Sequence, residues 1–489
     1  MAAFVVLWAV LVTLRHTWGG DFRLHLATLH TLSADLWTAK DPLVGEATGS
    51  PYYSPYTVLL GAITAVTGVH PRTVLEVAGI ANVVLLLLAL RRFCRHLGGG
   101  PFVPVLALVF TLLLWGLRPI EWSGFLGAYS VSWTMSYPSL LAAAIMFVLW
   151  DAYLRSREGP RGWRTPAVMV VLGALLVLIH PFTAVNTVIG LIAFALARPR
   201  ALRDIRTLWL VAVALAVLLL VVLWPWSEVF SLFGAAGDFD AVHERLVTDV
   251  VREFGFKHYG LALVGLPALV TAARRPLGRE LQVLFVISVA IIAMGALTGQ
   301  YGLARAIPVA MLPLHLALAS YLGTRMVARP MPRALYAGVV LLACAVGVYG
   351  ESGGVIRAYW SDVSNTTLRA WKSHEATTLY DSLMPGIRGG DVVMTDARLA
   401  ARQANARGAY TVRPAWPYPF VDEAARGRDN REFFDAKTSS ERRRAIADRY
   451  RVRCVLVAYH RVIRKPGALP GFRIQSRTAD GRSVLLCRE

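Results

Sequence analysis

The chain has 489 residues, 56% of them hydrophobic and 17% charged, with a mean hydropathy of +0.50. Soluble domains carry roughly 25% charged residues. Apolar runs recur from Phe4 to Val348, so the composition excludes an ordinary soluble protein and places most of the chain in a bilayer. The formal charge of +20 does not indicate a nucleic-acid partner, because the arginines cluster in short loops between apolar runs, the pattern that orients membrane spans.

The run Ala2–Leu14 has no basic leader and no clear A-x-A site, so it reads as an uncleaved signal anchor or a first span. Residues Gly20 to Tyr56 form the first long polar interruption and carry Asp21, His25 and His30. Phe22, Leu26, Leu29, Leu32 and Leu36 recur at helical spacing and predict an interfacial helix over Phe22–Trp37. Tyr56–Val69 is too short to span comfortably at ~1.5 Å per residue and is expected to dip in and return.

Spans are then expected over Thr73–Leu90, Pro101–Leu117, Ser139–Leu154, Thr165–Ile179, Ala184–Leu196 and Leu208–Trp224. Tyr259–Ala272, Leu281–Leu297, Ala306–Leu322 and Ala334–Tyr349 follow. The predicted fold is thus a polytopic α-helical membrane protein with about eleven crossings. Loops such as RRFCRH and RSREGPRGWR are Arg-rich and assigned to the cytoplasm, whereas the opposite loops hold most of the membrane region's acids. An odd number of spans puts the N-terminus inside and everything after Tyr349 outside. The scarcity of Lys against Arg, with abundant Ala, Val and Gly, suggests a GC-rich bacterial source and hence the plasma membrane.

Two domains are expected, 1–350 in the membrane and 351–489 as a small extracytoplasmic α/β domain. DVVM at Asp391–Met394, RCVLV at Arg453–Val457 and Ser483–Leu486 read as strands, and Ser439–Tyr450 as a helix with a capping box. The four cysteines form no metal pattern. Cys454 and Cys487 share this domain, where a disulfide is chemically permitted if it faces an oxidising compartment.

Asp21 has two readings: N-cap of the helix, or a general base on an acceptor hydroxyl. His25, four residues on, shares its helical face, either as a functional pair or as part of an exposed face. Tyr52, Tyr53 and Tyr56, with Trp122, Trp133 and Tyr137, either stack on sugar rings in a substrate groove or form the aromatic belt of a membrane interface. Glu121 is a carboxylate near a membrane edge with a supporting role to Asp21. His180 in IHPF either ends a helix at a hairpin turn or contacts a phosphate or sugar. GDFDAVHE, with Asp238, Asp240, His243 and Glu244, has hard-metal ligand types but usually marks a solvated loop.

GDFRLH at the start of the first outer loop, the segment KDPLVGEATGSPYYSPYTVLLGAITAVTGV, HPF at an outer turn, QYGLAR in a late outer loop and a soluble tail together resemble the GT-C glycosyltransferase superfamily. The resemblance implies a polyprenyl-phosphate-linked sugar donor and inverting transfer to a glycan, lipid or protein acceptor on the outer membrane face. It matches Asp21 to the loop-one catalytic carboxylate. It also places Arg305, with Tyr301 and His180, at the leaving phosphate, for which a guanidinium offers a planar fork. An arabinofuranosyltransferase-like or mannosyltransferase-like subclass follows by resemblance alone. The loop has no DxD or ExD doublet, only Asp21 and Asp41, so no cofactor is assigned and divalent-metal dependence stays open.

The rival readings are a transporter or flippase of lipid-linked sugars and a non-catalytic relative. No internal inverted repeat is evident, which weighs against transport. No P-loop, GxSxG, HExxH or dinucleotide fingerprint occurs.

Overall fold

The computed structural model describes residues 1–15, 20–47, 50–98, 100–120, 122–157, 162–198, 205–226, 243–248, 256–323, 330–353, 356, 380–418, 420–459 and 469–488. It is mostly helical and divides into two compact units. One comprises Met1–Thr17, Val77–Trp224 and Val229–Lys372. The other comprises Trp18–Glu76, Pro225–Glu228 and Ser373–Glu489, so the first polar loop falls in the unit that holds the C-terminal residues.

Among the described residues five helices are long and apolar enough to cross a membrane: Pro71–Leu97, Pro138–Ser156, Gly278–Thr298, Tyr301–Gly323 and Ala334–Glu351. Shorter apolar helices include Ala2–Leu14, Pro55–Thr67, Val103–Leu113, Arg164–Ile179, Pro181–Leu196 and Trp209–Val222. Proline at the first helical position starts several of them, where its missing N–H is not needed.

The first unit is cemented by aromatic packing. Trp150 lies 5.8 Å from Phe93, 5.7 Å from Phe147 and 5.4 Å from Phe194, and its indole N–H donates to the Thr187 carbonyl at 3.0 Å. Gly190 makes this approach feasible, since a Cβ there would sit 2.3 Å from the Trp150 ring. Asp151, almost fully buried near the end of the same helix, accepts from Arg92 at 2.6 Å, with Arg155 at 2.7 Å and the His96 ring at 2.9 Å.

The segment expected to cross over Tyr259–Ala272 is not one helix. It is a chain of short pieces, Phe256–Tyr259, Gly260–Gly265, Leu266–Val270 and Thr271–Arg274, alternating α and 3-10 turns. Gly260, Gly265 and Pro267 weaken regular helix here. Gly265 also approaches the Leu314 carbonyl so closely that a Cβ would lie 2.5 Å from it.

In the second unit the predicted helix Phe22–Trp37 ends three residues early, at Ala34. The Asp35 side chain accepts the N–H groups of Trp37 at 3.1 Å and Thr38 at 2.9 Å, a turn that competes with the helix. The helix is also not an exposed interfacial rod, because Phe22 through Leu29 are all buried.

The C-terminal part of this unit is a five-stranded mixed sheet, order β2-β1-β3-β5-β4. The strands are β1 (Val392–Thr395), β2 (Tyr410–Thr411), β3 (Cys454–Val457), β4 (Phe472–Arg477) and β5 (Val484–Arg488). β2 and β3 run parallel to β1, while β5 runs antiparallel to β3 and β4. Helix Arg398–Asn405 packs on one face through Ala400 and Ala404. Helices Glu423–Phe434 and Ser440–Arg449 cover the other through Phe433, Phe434, Ile446 and Ala447. The Ser439 side chain accepts Arg442 N–H at 3.2 Å, the cap its sequence announced. Cys454 and Cys487 face each other across β3 and β5 and form a disulfide.

Candidate functional site

The candidate residues fall in both units, and each group is built here within its own unit.

In the first unit, Arg305 is the next-to-last residue of the turn Tyr301–Ala306, which leads into the helix Ile307–Gly323, and is 8% exposed. Its guanidinium donates to the Ser123 carbonyl and the Ser123 hydroxyl, both at 3.1 Å. It lies over two rings, Phe182 at 4.6 Å and Trp122 at 5.2 Å. Asn186 donates to the Arg305 carbonyl at 3.0 Å and ties the helix Pro181–Leu196 to this turn.

His180 caps that helix. Its Nδ1 accepts the Thr183 N–H at 3.2 Å and lies 2.8 Å from the Thr183 hydroxyl. With Nδ1 an acceptor, the proton of the neutral ring sits on Nε2. His180, Phe182, Thr183, Asn186, Ser123 and Arg305 line one small recess. The histidine and arginine, 125 positions apart by their numbers, therefore meet at one place. The recess is about 10 Å³, room for one water-sized group, and sets the Arg305 guanidinium beside the His180 and Phe182 rings.

Trp122 lines a different recess of about 180 Å³, with Ile120, Arg245, Leu246, His258 and Tyr259. His243 is buried, its ring 5.5 Å from Trp122 and 5.3 Å from Phe182. Its acidic neighbours Asp238 and Asp240, and Glu121, lie outside the described residues. Among the described residues no group of three or more His, Cys, Asp or Glu could hold a metal ion. Tyr301 opens the turn that carries Arg305 and is partly buried, but it is not among the lining residues of the Arg305 recess. Glu351, which sequence reasoning did not single out, accepts the Tyr129 N–H at 2.7 Å and fixes the segment after Trp122. An acid at the end of an apolar run was its only signal.

In the second unit, Asp21 stands at the N-terminus of helix Phe22–Ala34 and is exposed. It occupies the N-cap position, yet its side chain makes no cap hydrogen bond, while its carbonyl accepts His25 N–H at 3.0 Å. His25 does not share an exposed face with it: the ring is 7% exposed, and burial pushes its pKa down to about 4. Tyr53 and Tyr56 are buried, and the Tyr53 hydroxyl donates to the Lys40 carbonyl. Tyr52 is partly exposed and stacks on Tyr418, with centroids 6.1 Å apart and planes 16° apart. Burial raises the Tyr52 hydroxyl above its ordinary pKa, and the charges of Asp21 and Asp41 add to the rise.

Asp41 is fully buried. One oxygen accepts the N–H groups of Leu43 and Val44, both at 2.9 Å, and the other accepts the Tyr418 hydroxyl. Burial pushes its carboxyl up despite these bonds. Sequence reasoning passed over Ser123, Asn186 and Tyr418, since single hydroxyls and amides carry no motif.

No protein-family model matches the chain, and no curated protein matches it. Solved structures do resemble it, among them the following three. The arabinofuranosyltransferase AftD from Mycobacteria, in a cryo-EM structure of a point variant, aligns over 99% of this chain with a TM-score of 0.61 and 17% identity. This chain spans 41% of the AftD chain. ArnT from Cupriavidus metallidurans aligns over 99% of this chain and 96% of its own, with a TM-score of 0.56 and 14% identity. An oligosaccharyltransferase from Archaeoglobus fulgidus aligns over 93% of this chain and 68% of its own, at a TM-score of 0.50 and 13% identity. All three are GT-C glycosyltransferases, and the chain has the GT-C fold.

Proposed function

We propose that this chain is an inverting glycosyltransferase of the bacterial plasma membrane, taking its sugar from a polyprenyl-phosphate donor. The acceptor is a glycan, lipid or protein on the outer face. Asp21 accepts the proton of the acceptor hydroxyl, and the freed oxygen bonds to the anomeric carbon. The anomeric C–O bond to phosphate breaks, its electron pair going to the phosphate oxygen, and Arg305 with His180 holds the departing polyprenyl phosphate. Tyr301, in the same turn as Arg305 but outside its recess, belongs to the donor side, and Trp122 and Tyr52 contact sugar rings. Residues 1–350, with about eleven crossings, form the membrane part, and 351–489 an extracytoplasmic α/β domain. The Cys454–Cys487 disulfide supports that placement, because such bonds persist in oxidising compartments.

The observation that carries the reading is the buried Arg305, held by Ser123 and two rings in a recess shared with His180, within a GT-C fold. Likeness to AftD favours an arabinofuranosyl donor within this class. The test is transfer from a panel of radiolabelled polyprenyl-phosphate sugars by purified protein, against an Asp21→Asn variant that folds and binds donor. Wild-type transfer that collapses in the variant supports the reading. Donor binding without transfer in either form refutes it and favours a lipid-linked-sugar transporter.

A further inference from the structure

We infer that Tyr418 and Asp41 are positioning residues that fasten the first loop, and with it Asp21, to the C-terminal sheet. The inference rests on the reading of Asp21 as base and gives the C-terminal residues a role in turnover.

The attachment has four parts, all inside the second unit. Leu24, three residues after Asp21, is 2% exposed in a buried cluster with Leu43, Val44, Ala401, Trp416 and Tyr418. The start of the Asp21 helix is thereby seated on the C-terminal layer. The Leu43 carbonyl accepts the Thr411 N–H at 2.7 Å and the Asn405 amide at 3.1 Å, so the loop continues the edge of β2. Arg426 pairs with Glu46 and donates to the Val412 carbonyl at 2.8 Å. The Tyr418 hydroxyl donates to buried Asp41 and lies 3.0 Å from the Ser50 hydroxyl, while its ring stacks on Tyr52.

These contacts tie the first loop to the C-terminal sheet at Leu24 and again over residues 41–52. Gly45 shows how tight the seat is: its φ is +74°, and a Cβ would meet the Tyr410 ring at 2.6 Å. The Tyr52 hydroxyl feels the Asp21 charge, so loop and base share one electrostatic neighbourhood. A purely scaffolding attachment would affect stability alone. A positioning attachment must also act on the rate, because a misplacement of ~1 Å in a reacting group costs roughly 100-fold.

The test uses the full chain in detergent or nanodiscs. Tyr418→Phe keeps the ring stack and removes the hydroxyl, whereas Gly45→Ala, at a positive φ and with its N–H on the Asp41 carbonyl at 2.9 Å, pushes the loop off Tyr410 and keeps the Tyr418 hydroxyl. Hydrogen exchange of residues 20–47, thermal melting and transfer kinetics are measured together. The expected result is at least 10-fold faster amide exchange over 41–46 in both variants. It is joined by a 10- to 100-fold fall in kcat, with donor KM within twofold of wild type. Unchanged exchange and kcat in both folded variants would overturn the inference. So would a loss expressed only in KM, or faster exchange with kcat unchanged. If the wild type transfers no sugar, the proposed function fails by itself, and the positioning role fails with it even where exchange shows the attachment intact.

Discussion

Arg305 offers the sharpest test of the phosphate role. Its side chain is 8% exposed, fixed by two bonds to Ser123 and flanked by Phe182 and Trp122, so its fork is pre-oriented. A hydrogen bond to a charged group is worth about 1.5–3 kcal/mol. Arg305→Lys keeps the charge but loses the planar fork. One lost bond of that size corresponds to roughly a 10- to 150-fold fall in kcat/KM. Arg305→Ala removes the charge as well, and about 3–4 kcal/mol corresponds to roughly 10²- to 10³-fold. Initial rates would be taken with the polyprenyl-phosphate donor varied at fixed acceptor, and melting temperatures would confirm folding. A folded Arg305→Ala protein within threefold of wild type would refute the phosphate assignment, as would a lysine variant worse than alanine.

Three further outcomes are expected. Alkylation of denatured, unreduced protein should label Cys94 and Cys344 but not Cys454 or Cys487; closing a loop of sequence separation 33 is worth about 3–4 kcal/mol, so the double Cys→Ser variant should melt several degrees lower. Asp151→Asn leaves the cations Arg92 and Arg155 around a neutral amide and should cost about 1–3 kcal/mol by thermal shift, given that both arginines are half exposed. His30 is held down to about 4, first by burial and then by His70 and Arg407, and His25 likewise by burial. Both folded pKa values lie below the ordinary 6.5, so stability is complete above that pH and falls as pH drops from 6.5 towards 4. His30→Gln should flatten this slope in melting curves, and an unchanged slope would count against the burial argument.

The sequence was most legible where a pattern had one physical solution. Apolar runs such as Gly278–Thr298 have no stable alternative to a helix in lipid. The four-residue cores of β1 and β3 declared themselves by β-branched residues, but β4, FRIQSR, did not, being a largely exposed edge with alternating polarity. Tyr259–Ala272 misled because hydropathy does not register that Gly265 lies against the Leu314 carbonyl. The overrun of the first-loop helix came from valuing the Leu stripe above the turn-forming Asp35. At the site, His180 and Arg305 stood out as charged or ring groups at outer turns. That they share a recess depends on tertiary packing through Asn186 and Phe182, for which one sequence has no signal.

The first loop shows most clearly what folding adds. Residues 20–56 contain four acids, Asp21, Asp35, Asp41 and Glu46, chemically equivalent in the sequence. Asp35 spends its oxygens on Trp37 and Thr38 in its own turn. Asp41 is enclosed, with two backbone N–H groups and the Tyr418 hydroxyl on its carboxylate. Glu46 is paired with Arg426. A general base must be reachable by the hydroxyl it deprotonates. Asp21 meets that condition by its exposure at the start of the helix. The Asp41–Tyr418 bond that encloses Asp41 lies in the same loop that carries Asp21.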